Sequence, residues 1–487
     1  MRTLNGVRDG FGLTPYRSKC WMKVEVYERI ASRAAGGGEI GDTRTGRLRR
    51  WLPGNWAAGM VAGGVSLLAA PGPVRAQLVD QYFPTNVPGY DQSVLGRARP
   101  EYAPTGVRVG SFNLLPALTE GIGYDNNVLG STQGQRSSLL VNTRASLSAN
   151  SDWSRDSVGA DLTVDDTRYP DQTSLSYTNW TASLGGALDI GRDQAVASYS
   201  HLSLHQVASD IDSRGITQPV PYTDDNVRLG YRTEFGRISL LPSFTFSAFR
   251  FSNVASSGAT IDEKVNDRDA YVGELETRYE LSPQRNVLFV VRSGTNQYLR
   301  PTNTTPNNAG FSVLAGLDYT ANGVFRYRAL VGYSYRSYSS TITSSRSAPT
   351  VEASAIWTPT GLTTLTGTLS RRIEDAVSAG IIGYTYNEAR LVVDHELRRD
   401  VLLEGLGGVQ YAEYTNGGGN QTIGIIGGSV QWLLNRNVQL VASDSFTIGD
   451  SGSTTTVTTT GTGGLTTVTS GGSYTRNIAL LSLRLQL

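Results

Sequence analysis

Few residues in this chain have the types and spacing that chemistry needs. There are three histidines, His201, His205 and His395, and one cysteine, Cys20. His201 and His205 would share one face of a strand, yet four residues of strand separate them by roughly 13 Å. Both cannot reach one metal whose ligands must sit near 2 Å. A serine hydrolase needs Ser, His and an acid converging on one point, and no G-x-S-x-G turn between strand and helix is present. Dinucleotide, P-loop and metal-binding motifs are absent too. The sequence therefore predicts no enzyme, no cofactor and no metal. What remains is charge on alternating positions. Arg228, Arg232, Arg326, Arg328, Arg336 and Arg390 fall on the polar faces of strand-like segments, as do Glu274, Glu276 and Glu388. If those faces line a water-filled lumen, two readings stand. The arginines pair with Glu234, Glu274, Glu276 and Glu388 and fix their neighbours, or they form a ladder that guides an acidic solute, as rings of Arg select anions in pores.

Such faces need elements to hold them. Residues 158–165 alternate Val158, Ala160, Leu162 and Val164 with Gly159, Asp161, Thr163 and Asp165. Residues 324–336 set Phe325, Tyr327, Ala329, Val331, Tyr333 and Tyr335 against Arg326, Arg328, Gly332, Ser334 and Arg336, and 178–190 repeat the pattern with Trp180, Ala182, Leu184, Leu188 and Ile190. Successive side chains of a strand point to opposite faces, so each segment has one apolar and one wet face. The composition agrees: 17% charged residues, 55 glycines and 24 tyrosines suit many strands joined by turns. No segment is apolar enough for a transmembrane helix. A soluble sandwich would turn the apolar faces inward; an outer-membrane barrel turns them to lipid. Long strands, Tyr and Trp near strand ends and several charges per polar face favour the barrel.

Tight turns recur near residues 153, 191, 236, 284, 322, 359, 399 and 435. Between them lie longer polar connections such as 213–225, 300–310 and the Thr/Gly/Ser tract 449–472, read as a flexible exterior loop that could alternatively fold inward. Eight short turns on one side imply an all-β, antiparallel, up-and-down transmembrane barrel of about 18 strands (16–18), with short turns periplasmic and long loops outside. The expected strand starts are 111, 136, 156, 175, 194, 225, 238, 268, 286, 310, 324, 349, 362, 383, 400, 421, 437 and 473. The chain closes on Leu481, Leu483, Leu485 and Leu487 alternating with polar residues, a final strand that can pair with the first and leave no edge. Barrel-assembly machinery is the expected partner for such a strand, although Leu487 stands where an aromatic residue is usual.

The N-terminal part is different. Arg47, Arg49 and Arg50 are basic, 56–70 are apolar and Val74-Arg75-Ala76 offers a cleavage site, which reads as a signal peptide over 47–76 behind an extension over 1–46. Residues 77–106 read as an extended periplasmic arm and 107–487 as the barrel. Residues 1–76 hold 12 basic and 5 acidic side chains, against 43 and 42 in the whole chain, so the remainder is acidic on balance. It has no cysteine and a single lysine, Lys264. Nothing in it suits nucleic acid, which requires a basic patch; outer-membrane lipid is the expected surroundings.

One stretch carries a family resemblance. Arg99-Pro100-Glu101-Tyr102, Gly106-Val107-Arg108-Val109-Gly110-Ser111-Phe112, Pro116 and Gly123-Tyr124-Asp125-Asn126-Asn127, followed by SANSDWSRDSV at 148–158, resemble the entry to the outer-membrane family called Putative beta-barrel porin 2. That resemblance implies a barrel in the outer membrane of a Gram-negative bacterium, without catalytic residues and often associated with exopolysaccharide production. The expected function is passage or export of a polysaccharide or another large hydrophilic solute, with the 77–106 arm docking a periplasmic polysaccharide export protein. A general small-solute porin and a non-conducting structural or adhesive barrel stay open.

Overall fold

A computed structural model describes residues 93–487 apart from 98, 133, 214–215, 257–258, 322, 378–379, 416–418, 451–454, 462–463 and 471. The expected extension, the signal segment and residues 77–92 lie outside the described residues.

Eighteen strands form the wall: β1 Phe112–Asp125, β2 Ser138–Ser151, β3 Ser157–Arg168, β4 Tyr177–Ile190, β5 Asp193–Gln206, β6 Val220–Phe235, β7 Ile238–Phe251, β8 Arg268–Ser282, β9 Arg285–Tyr298, β10 Asn308–Ala321, β11 Phe325–Tyr338, β12 Ser345–Thr360, β13 Thr363–Asp375, β14 Gly383–Arg398, β15 Val401–Tyr414, β16 Asn420–Leu433, β17 Val438–Asp450 and β18 Ser473–Gln486. Each pairs antiparallel with its neighbour in sequence, and β1 pairs with β18 over Ala117–Asp125, closing the barrel. The lower edge of β1, which β18 does not reach, is covered by Val107–Val109 folding back through a two-residue turn at Gly110-Ser111, where Gly110 takes the positive φ of such turns. Every edge is therefore paired, the condition for backbone in a bilayer. Strands of about 14 residues, rising about 3.3 Å each and tilted about 40°, project about 35 Å along the axis, enough to cross a hydrocarbon core of about 30 Å.

The expected strand starts lie within about five residues of the observed ones. The largest difference is β6. Residues 213–225 read as loop because of Pro221 and the Asp224-Asp225 pair, yet β6 begins at Val220, with Pro221 opposite His205. The Thr/Gly/Ser tract also differs from the flexible loop its composition predicts: Thr455–Gly461 and Gly464–Ser470 pair as an antiparallel hairpin.

The outward faces are apolar. Ile426, Val331 and Ile122 are 70%, 62% and 60% exposed, values that only lipid can satisfy when repeated around a whole wall. Trp153, Trp357 and Trp432 lie outward near the short turns, and Tyr124, Tyr333 and Tyr335 toward the long loops. The inward faces carry the polar residues, among them Thr119, Asn142, Ser200, Glu276, Thr350 and Gln431, all buried. Between β10 and β11 the wall is tight. A Cβ on inward-facing Gly316 or Gly332 would collide with the carbonyl oxygens of Ala329 and Val313 respectively, so only glycine permits that approach.

Candidate functional site

The lumen is shaped from both ends. At the short-turn end, Ser93–Ala103 turns on itself, with Tyr102 and Ala103 N–H groups donating to the Arg99 carbonyl. Leu95 packs on Leu402 and Leu433 of the inner wall, and the Val94 N–H donates to Thr364 Oγ1 at 3.0 Å. Arg99 donates to Glu396 Oε2 at 2.8 Å and to the Val94 carbonyl at 2.8 Å. This part of the 77–106 segment thus lies against β13–β16.

At the other end, two loops cross the lumen. Residues 207–213 leave β5 and reach strands on the far side of the ring. The Asp212 N–H donates to Gln421 Oε1 of β16 at 2.9 Å, and Gln421 Nε2 donates to the Asp210 carbonyl at 3.4 Å. Arg476 of β18 donates to Ser209 Oγ at 2.6 Å. Residues 376–377 and 380–382, between β13 and β14, come the opposite way: the Val377 N–H donates to Asp212 Oδ2 at 2.6 Å, and its carbonyl accepts from Asn266 Nδ2 at 3.2 Å. Ile211 packs among Ala376, Ile381, Tyr384, Tyr386, Tyr414 and Ile423. With eighteen strands, β5 and β14 stand nine apart, so the two loops span a diameter side by side. Together they form a crossbar.

The charges follow the inner wall, and all nine candidate residues face inward. Arg328 on β11 reaches Glu276 on β8 with Nη2–Oε2 at 2.5 Å, and Arg278 holds the same carboxylate. Arg232 pairs with Glu234, and Arg336 with Asp375 at 2.7 Å. Glu274 pairs with Arg292, which also reaches Glu352 at 2.7 Å. Glu388 accepts from Gln410 at 3.5 Å. Arg228 sits between Ser198 and Thr245. Arg326 and Arg390 make no ion pair among the described residues, Arg390 being exposed to the lumen beside Glu404.

Sequence reasoning missed Asp375, Glu352 and Arg292 as partners, and the apolar floor beneath the ion pairs. Leu288, Val290, Leu314 and Leu330 form a buried cluster on the lumen face of β9–β11. Arg328 and Arg292 strap over it in opposite directions, toward β8 and β12. Their aliphatic stems bury apolar surface while their charged ends pair. The closure of the barrel has its own tie: Arg476 Nη2 meets Asp125 Oδ2 at 2.5 Å, both fully or nearly buried. Tyr169 Oη donates to the same Asp125 oxygen at 3.4 Å; burial pushes that hydroxyl up to about 12, so it stays a donor.

The histidines lie elsewhere. His201 Nδ1 meets Asp225 Oδ1 at 2.8 Å on the outward face, its ring 4.7 Å from Trp180. His205 faces Asn179 Oδ1 at 3.0 Å, and His395 faces Thr363 Oγ1 at 3.0 Å. Glu120 also points outward, accepting from Thr143 Oγ1 at 2.8 Å.

No curated protein matches the chain. Among solved structures it is similar to the outer membrane protein opdK from Pseudomonas aeruginosa, with 11% identity, 77% of this chain and 99% of that chain covered and a TM-score of 0.42. A BenF-like porin from Pseudomonas fluorescens Pf-5 gives 10% identity, 78% and 100% coverage and 0.42. The FrpB iron transporter from Neisseria meningitidis (F3-3 variant) gives 8%, 77%, 82% and 0.37. The family Putative beta-barrel porin 2 matches residues 99–470, and the chain, a closed outer-membrane porin-like β-barrel, belongs to that family.

Proposed function

We propose that the barrel is a channel for small hydrophilic solutes. The observation that carries this reading is the crossbar: eighteen strands enclose an aqueous lumen, and two loops joined at Asp212 and Val377 divide it. The test is swelling of proteoliposomes in sugars of graded size. Monosaccharides and disaccharides are expected to enter and long dextrans to be excluded, with deletion of residues 208–213 raising the cut-off. Dextran entry equal in the intact and deleted chains would overturn the reading, as would an absence of any conductance.

Passage of a polysaccharide or another large hydrophilic solute, exported with a periplasmic partner, is the second reading. It is favoured by Arg326 and Arg390, which have no ion-pair partner among the described residues and so present free positive charge to an acidic chain. On that reading the crossbar must part to admit the polymer. Reversal potentials decide the charge component: anion preference supports it, and cation preference in the intact channel removes it.

A further inference from the structure

The inner wall of β5–β7 holds a group of buried oxygens that the channel reading does not use. Ser200 on β5 lies opposite Asn226 on β6, which lies opposite Ser247 on β7. Asp224 is two residues from Asn226 on the same face. Ser200, Asp224 and Asn226 are 1%, 2% and 0% exposed. Asn226 Nδ2 donates to Ser247 Oγ at 2.5 Å, which turns its Oδ1 away from β7 and back toward β5 and Asp224. Among the described residues, four atoms here have no hydrogen-bond partner: Ser200 Oγ, Asn226 Oδ1 and both carboxylate oxygens of Asp224. All four are oxygens. Buried polar atoms in native proteins are almost always satisfied, and a buried carboxylate without a counter-charge is among the costliest groups to leave alone.

Arg268 and His201 act on the Asp224 charge only from a distance, and neither makes a hydrogen bond to it among the described residues. Arg268 lies beyond Phe249, the residue between it and Asp224 across the ladder. Its guanidinium stacks 4.7 Å over that ring and 5.7 Å from Tyr298, and donates to the Asn266 carbonyl at 3.3 Å. It lines, with Asp212, a cavity of about 10 Å³ at the crossbar. Across the ladder Asp224 faces Leu202 on β5 and Phe249 on β7.

We propose that Ser200, Asp224 and Asn226 form a site for a small monovalent cation of the sodium class, set in the inner wall beside the crossbar. Oxygen-only donors select hard cations. One carboxylate among neutral amide and hydroxyl oxygens balances a single positive charge, whereas divalent ions call for more carboxylates or retained water.

The test is thermal unfolding of the full chain, refolded in detergent, in sodium chloride and in N-methylglucamine chloride at equal ionic strength. A ligand bound only by the folded state raises Tm as its concentration passes Kd. A saturable rise with sodium is expected, lost in Asp224→Asn and weakened several-fold in affinity in Ser200→Ala, which keeps the carboxylate should Asp224→Asn fail to fold. Sodium-23 line broadening, displaced by lithium, gives a readout independent of stability. Equal Tm in both salts with no line broadening would overturn the site. So would sodium dependence that survives both substitutions. A Tm that responds to pH but not to the cation would show instead that Asp224 carries a proton.

Discussion

Asp212 Oδ2 accepts the main-chain N–H of Val377 at 2.6 Å, joining residues 165 positions apart from opposite sides of the barrel. This bond links the two halves of the crossbar, beside the packing of Ile211 with Ala376 and Ile381. Replacing Asp212 with Ala leaves a half-buried N–H without this acceptor, at a cost of about 1 kcal/mol. The expected result is a larger mean conductance with frequent stepwise fluctuations in planar-bilayer recordings. Unchanged traces would mean that the apolar packing around Ile211 holds the loops alone.

Arg328 and Arg326 share one face of β11 but differ in attachment. Arg328 shares the buried Glu276 with Arg278; Arg326 pairs with no carboxylate among the described residues. Arg328→Ala exposes a partly compensated buried charge and is expected to lower stability by about 3 kcal/mol. Arg326→Ala is expected to change stability by less than about 0.5 kcal/mol while shifting the reversal potential toward cations. Urea titration and bilayer recordings on the same two variants separate holding the wall from guiding the solute.

Arg99 and Glu396 meet at 2.8 Å, each side chain 5% exposed. Without Arg99, Glu396 keeps, among the described residues, only Arg97 at 3.9 Å. Loss of one partner from a buried pair costs about 3–5 kcal/mol, enough to free Ser93–Ala103 from the wall. Trypsin is expected to cut after Arg97 in Arg99→Ala much faster than in the parent chain. Equal cleavage rates would show that Leu95 and the Val94–Thr364 bond suffice.

Outside the wall, Arg300 forks onto Asp262 with both distances at 3.0 Å. Its hydrogen bonds hold the Asp262 carboxyl below the ordinary value of 3.8. A depressed carboxylate contributes stability that is present above its unfolded value and lost as pH falls through the lower folded one. The loop around 259–266 should therefore keep its amide protection from pH 7 down to about 4 and lose it only in stronger acid. Asp262→Asn should remove that acid step from a hydrogen-exchange series.

The wall was legible in the sequence because its signals are local. Gly236 and Gly191 mark two-residue turns by their positive φ, and Asn435 caps its turn by accepting the Asn437 and Val438 N–H groups. Period-two alternation did the rest. On β11 it separated Tyr333 and Tyr335 from Arg328 and Arg336, but it gave no reason to place Leu330 among the arginines. That leucine belongs inside because Arg328 and Arg292 cover it, and a cover from two strands away leaves no trace in local pattern. The crossbar was illegible for the same reason. Residues 207–213 carry no local signal for it, and the packing of Ile211 on Tyr384 and Tyr414 draws them inward. Asp375 was overlooked because it ends β13, where alternation stops.

The crossbar also dates its own formation. Asp212 must wait for Gln421, 209 residues later, and Ser209 for Arg476, 267 residues later. A chain entering the bilayer hairpin by hairpin therefore builds its wall through β13 before Val377 is in place, and through β15 before Gln421 is. The obstruction arrives with the last strands, so an intermediate stalled before β16 should leak more than the finished barrel, and sealing would report that assembly is complete.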